Sequence, residues 1–275
     1  MKRSNRPAIV ATPHPHSNQL FLLFTGNAER LMIDPLRFLQ VTAIADHNIM
    51  LVRDPFRAAY RCGITDGHSD IEDVVELVRE EVEARFPDIV RLFCIGTSSG
   101  GLPAIRCGLA LNAEVVWCFG GRVARAGAVA ARDTEFARIV RELVGKDVTA
   151  GSIEQTLTLR EQYIIQVGLR REDIRRRLWS VAESPAAVID DQMLAELVGA
   201  TQDQQGRMAL HLYYSPANAA DKHVAEAFRH VRGVALYPLP AVPQGGSMTA
   251  AEGSHFVVNI LDRMGALGDI FKPYV

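Results

Sequence analysis

The chain has 275 residues, of which 48% are hydrophobic and 23% charged, with a formal net charge of -2. That composition belongs to a globular protein long enough to bury a core without disulfides or metals, and the near-neutral balance leaves no electrostatic footprint for nucleic acid. No apolar run approaches the roughly 20 residues that span a membrane. The N-terminal MKRSNRPAIVATPHPH is basic but has no apolar stretch of signal-peptide length, so the cytoplasm is the expected location.

Six short apolar runs punctuate the chain: 19–25 (QLFLLFT), 48–53 (NIMLVR), 89–95 (IVRLFCI), 114–119 (EVVWCF), 208–214 (MALHLYY) and 234–239 (VALYPL). Most stop at Gly or Pro, and β-branched or aromatic residues dominate, which reads as strands. Their near-continuous apolarity, without strict alternation, suggests parallel strands covered on both faces. Between them, 70–86 shows a helical stripe after Ser69-Asp70 and before Pro87, 99–111 reads as a helix with Pro103 early in it, and 221–232 as another. The expected fold class is therefore α/β, a mostly parallel central sheet flanked by helices.

One segment breaks the alternation. Residues 122–207 contain no convincing strand and read as helices over 133–144, 152–167, 171–182 and 191–199. The segment carries 13 Lys+Arg and 13 Asp+Glu, so it is charged but balanced. The expected organisation is a core of 1–121 and 208–275, with 122–207 inserted as a helical cap before the strand at 208–214. The basic run RREDIRRR at 170–177 reads as a solvated helix face; contact with an anionic or carrier-bound substrate is the alternative.

The strongest local signal is IGTSSGG at 95–101, which matches G-x-S-x-G through Gly96, Ser98 and Gly100. The pentapeptide alone is common; a strand before it and a helix after it make it specific. A serine on a tight strand-to-helix turn is strained, and small neighbours avoid clashes. The turn lifts the hydroxyl off the sheet edge and aims the Ser99 N–H, with the positive end of the helix, at the place where an oxyanion would form. Ser99 is the competing nucleophile, but its spacing to the two glycines is worse. A phosphate cradle is disfavoured, because no Lys-Ser/Thr follows the last glycine and no G-x-G-x-x-G is present.

In this order of strands, serine turn and helices the chain resembles the α/β-hydrolase superfamily of the serine nucleophile elbow type, across most of 18–265, with no subfamily identified. The resemblance implies a triad running serine, acid, histidine along the chain. His255, in the loop PAVPQGGSMTAAEGSH after the last strand, then becomes the base. The acid is expected after 208–214, in SPANAADKH. Asp221 supplies a carboxylate, although Asn218-Ala219-Ala220-Asp221 also reads as a helix cap. Asn218 is the alternative position, and Asp190 or Asp191 a more distant one. The second oxyanion donor is expected from the Asn27 N–H, after the strand at 19–25.

The other histidines, His14, His16, His47, His68, His211, His223 and His230, read as solvated or structural. Cys62, Cys94, Cys107 and Cys118 show no CxxC or zinc spacing and read as buried thiols. The stretch 53–67 (RDPFRAAYRCGITDG) reads as a packed connector, with substrate positioning as the alternative. The expected activity is hydrolysis of a carboxylic ester or thioester through an acyl-enzyme on Ser98, with a small acyl substrate and no metal or organic cofactor. An acyltransferase using the same acyl-enzyme, and a non-catalytic binding protein of the same fold, are the alternatives.

Overall fold

The computed structural model describes residues 6–26, 29–55, 59–61, 63–65, 70–121, 138–146, 158, 161, 164, 173, 190–204, 206–216, 218–239 and 257–275. Among them seven strands form one sheet in the order β1-β3-β2-β4-β5-β6-β7: β1 (Ile9–Thr12), β2 (Gln19–Phe24), β3 (Asn48–Val52), β4 (Arg91–Thr97), β5 (Val115–Phe119), β6 (Ala209–Tyr214) and β7 (Val234–Pro238). β1 runs antiparallel to β3; every other pairing is parallel. The fold is a mostly parallel sheet with helices on both faces.

Side chains alternate between the faces of a strand. In β2, Leu20, Leu22 and Phe24 enter one core and Phe21 and Leu23 the other. Because both faces are covered, both sets must be apolar, which is why these strands read as unbroken apolar runs. The first face is closed by α2 (Ile71–Arg85), α3 (Gly101–Ala110), α4 (Asp191–Asp203) and α5 (Ala219–Ala227). The second is closed by α1 (Pro35–Thr42), α6 (Val257–Arg263) and α7 (Leu267–Phe271) around Trp117, Phe93 and Phe119.

Local chemistry sets the helix starts. Asp70 caps α2 by accepting from the Glu72 and Asp73 N–H groups, and Asp34 caps α1, where Pro35 follows. β1, α1 and the five-residue α7 lie outside the sequence-derived set. β1 is a four-residue, half-buried edge strand between Pro7 and Pro13, too short to show a pattern. The eight residues of α1 carry one fully buried apolar residue, Phe38, so the stripe is faint even though the Asp34-Pro35 start is well formed.

The expected helix 221–232 begins earlier, at its Asn218 cap, and ends at Ala227; the chain then turns through Gly233, whose φ is 84°. The expected helix 99–111 opens with a tight 3-10 turn over Ser98–Gly100, so α3 starts at Gly101. Of the proposed insertion, 138–144 is helical, and α4 packs on α3 and α5 in the core layer through Leu194 and Leu197. The helices expected at 152–167 and 171–182 fall almost wholly outside the described residues. Among the described residues no helix is long and apolar enough to cross a membrane.

Candidate active site at the end of β4

β4 pairs with β2 on one side and β5 on the other, so its C-terminal end opens at the middle of the parallel sheet. The strand runs two residues beyond the apolar run, through Gly96 and Thr97, because both remain in register with Phe24, Cys118 and Phe119. Ser98 follows with φ 52°, in the left-handed region that L side chains rarely occupy.

Packing enforces that conformation. A Cβ on Gly96 would lie 2.4 Å from the Gly100 carbonyl oxygen and 2.7 Å from the Ala104 Cβ. A Cβ on Gly100 would lie 2.3 Å from the Phe24 carbonyl oxygen. Gly100 has an ordinary φ of -74°, so the requirement there is close approach and not left-handed backbone. The turn is thus pressed between β2 and α3, and Ser98 remains partly exposed while Ser99 is buried. Strain of this kind persists only where the surroundings over-determine it.

The loop after β2 reaches the serine. A Cβ on Gly26 would lie 3.2 Å from the Ser98 Cβ and 3.8 Å from its Oγ. The loop closes on itself: the Gly26 N–H donates to the Arg30 carbonyl (3.0 Å) and the Glu29 N–H to the Gly26 carbonyl (2.8 Å). The Thr97 hydroxyl donates to the Arg30 carbonyl at 3.3 Å, tying the loop to the residue before Ser98. Sequence reasoning missed this tie, since nothing in a single threonine at a strand end marks it. Asn27 lies in this loop but outside the described residues, as does His255.

Asn218 and Asp221 sit where β6 gives way to α5, and both are buried. The Asn218 side chain accepts from the Asp221 N–H at 3.0 Å, so the cap read from the sequence is present. Asp221 faces the end of β5, lining a small cleft with Cys118, Gly121, Tyr213 and Tyr214. Burial, and then the Asp221 charge, push the Cys118 thiol up to about 12, which marks the carboxylate as its neighbour. Cys94, Cys107 and Cys118 are buried free thiols. Asp190 and Asp191 cap and open α4, where Asp190 accepts from Arg61 at 2.8 Å and Asp191 lies 2.9 Å from His223 Nε2.

The described part of 53–67 is a packed connector. Tyr60 is wholly buried, its hydroxyl 3.0 Å from the Thr25 carbonyl and 2.9 Å from that of Val52, and burial holds its phenol well above the usual value. The buried Asp54 carboxylate accepts from the Tyr60 N–H at 3.0 Å. His47 Nδ1 lies 2.9 Å from the Ser17 hydroxyl, and His211 stacks on Tyr237, so neither is near Ser98 by its contacts. Among the described residues no group of three or more His, Cys, Asp or Glu is placed to hold a metal ion.

A mostly parallel sheet, a strained serine directly after β4, and a glycine loop packed against that serine define the α/β-hydrolase fold, and this chain has it. Solved structures bear this out. The chain is similar to a carboxylesterase structure from the ammonia-oxidizing thaumarchaeon Nitrososphaera gargenis, at 12% identity over 100% of this chain and 99% of that one, with a TM-score of 0.52. It is similar to a lipase-esterase related protein from Clostridium acetobutylicum, at 14% identity over 97% and 98%, with a TM-score of 0.51. A probable hydrolytic enzyme from Pseudomonas aeruginosa matches at 14% identity over 97% and 89%, also with a TM-score of 0.51. No family model and no curated protein matches the sequence. At such identities the likeness is one of fold.

Proposed function

We propose that the protein is a serine hydrolase acting on a carboxylic ester or thioester through an acyl-enzyme on Ser98. The observation that carries this reading is the left-handed Ser98 at the C-terminal end of β4, partly exposed and wedged by Gly96 and Gly100. A protein gains nothing in stability from such strain; a nucleophile displayed above a sheet edge needs it. The esterase and hydrolase names of the similar structures support the same class.

In the mechanism, His255 takes the Ser98 proton as the hydroxyl attacks the acyl carbonyl. The N–H groups of Asn27 and Ser99 hold the tetrahedral oxyanion. His255 then returns the proton to the leaving group and activates water to release the acid. Asp221 holds the imidazole tautomer and offsets its charge, with Asn218 as the alternative position. This reading gives the inserted segment ahead of α4 the role of a cap that selects the acyl group, α4 itself belonging to the core layer.

Turnover of 4-nitrophenyl butyrate by the wild type and by Ser98→Ala, His255→Ala and the double variant tests this. Each single change is expected to remove most of the activity and the double to remove little more, because the two groups act as one unit. Independent, additive losses contradict it.

A further inference from the structure

We infer that Arg30 is a specificity-determining residue that gives the Ser98 site a preference for acyl substrates carrying a carboxylate, and this rests on the hydrolase reading above. The main chain of Arg30 is fixed beside the nucleophile. Its carbonyl accepts from both the Gly26 N–H (3.0 Å) and the Thr97 hydroxyl (3.3 Å), and Gly26 and Thr97 are the residues that touch and precede Ser98. Its flexible three-methylene stem starts from that anchor, one hydrogen bond from the residue before the serine, and the proposed preference puts its guanidinium over the Ser98 hydroxyl.

The charge balance around the anchor makes this cation available. Arg30 is exposed and takes part in no ion pair among the described residues. The acids near it in sequence make interactions of their own. Glu29 is buried and its charge acts on Arg53. Asp34 is committed to the α1 cap, accepting from the Leu36 N–H at 2.9 Å. The neighbouring basic residues are also committed: Arg37 to Asp262 at 3.1 Å, Arg53 to the Pro7 carbonyl at 3.0 Å, and Arg61 to Asp190. Among the described residues Arg30, Arg37, Arg53 and Arg61, Arg30 alone shows no such partner.

A guanidinium matches a carboxylate with two parallel N–H···O bonds, which a lysine cannot reproduce. The substrate class is therefore a half-ester or half-thioester of a short dicarboxylic acid, with its free carboxylate on Arg30 and its other carbonyl at Ser98.

The test compares 4-nitrophenyl hemisuccinate with 4-nitrophenyl butyrate. The ratio of kcat/KM for the first over the second is expected to exceed tenfold in the wild type. It should fall at least tenfold in Arg30→Gln, chiefly through KM, and partly recover in Arg30→Lys. It should also shrink as salt rises from 50 to 500 mM. Binding of succinic acid monoanilide to Ser98→Ala and to Ser98→Ala/Arg30→Gln, followed by calorimetry, reads the same contact without chemistry. Arg30-dependent anilide binding with no ester turnover keeps this inference and removes the hydrolase reading. Butyrate turnover with an unchanged ratio in Arg30→Gln, or anilide binding that ignores Arg30 or is absent, overturns the inference, whether or not the hydrolase reading stands.

Discussion

Replacing Ser98 by glycine and by alanine removes the same hydroxyl but treats the backbone differently. At φ 52° an alanine keeps the clash that makes left-handed backbone unfavourable, about 1–2 kcal/mol, and glycine does not. Glycine returns about 0.4–1 kcal/mol of that through the extra freedom of its unfolded chain. Ser98→Gly is therefore expected to be more stable than Ser98→Ala by roughly 1 kcal/mol, which in a chain of this size is about 2 °C in Tm. Both variants should be inactive toward esters. Thermal melts by circular dichroism at matched protein concentration measure the difference. The account fails if Ser98→Gly melts at or below Ser98→Ala, because the turn would then store no strain and its left-handed geometry would carry no functional meaning.

Further outcomes follow from other contacts. Gly100→Ala forces a methyl against the Phe24 carbonyl and should lower stability by about 1–3 kcal/mol, read as a urea midpoint. Asn218→Ala removes the α5 cap and should cost about 1 kcal/mol, whereas Asp221→Asn should leave the melt nearly unchanged and lower ester turnover a hundredfold or more. Near-normal turnover in Asp221→Asn would reassign the acid. Burial holds His211 below the ordinary histidine value of about 6.5. The folded state then binds fewer protons than the unfolded one, so the His211 contribution is fully present above that value and is lost as pH falls through the lower folded one. Urea midpoints at pH 8 and pH 5 should drop less in His211→Phe, which keeps a ring against Tyr237.

What the sequence revealed, and what it withheld, divides along physical lines. Strands buried on both faces announce themselves as unbroken apolar runs, so all six parallel strands were legible to within two residues. The antiparallel β1 and the short α1 were not, since half-burial over four residues and one buried phenylalanine leave no period to read. The serine turn was legible because G-x-S-x-G is a steric requirement, and the close approaches at Gly96 and Gly100 bear that out. The Thr97 and Gly26 anchors on Arg30 were not legible, because main-chain hydrogen bonds between loops distant in sequence leave no residue pattern. The Asp221 role stayed open for a related reason: an acid three residues after Asn218 satisfies a helix cap and a triad equally well, and the structure shows that the cap is made.

The most direct test of the central claim is labelling of the folded protein with a fluorophosphonate, with the adduct located by peptide mass spectrometry. The account predicts a stoichiometric adduct on Ser98 that is lost in His255→Ala. An unlabelled folded protein, or an adduct on Ser99 in place of Ser98, would contradict it.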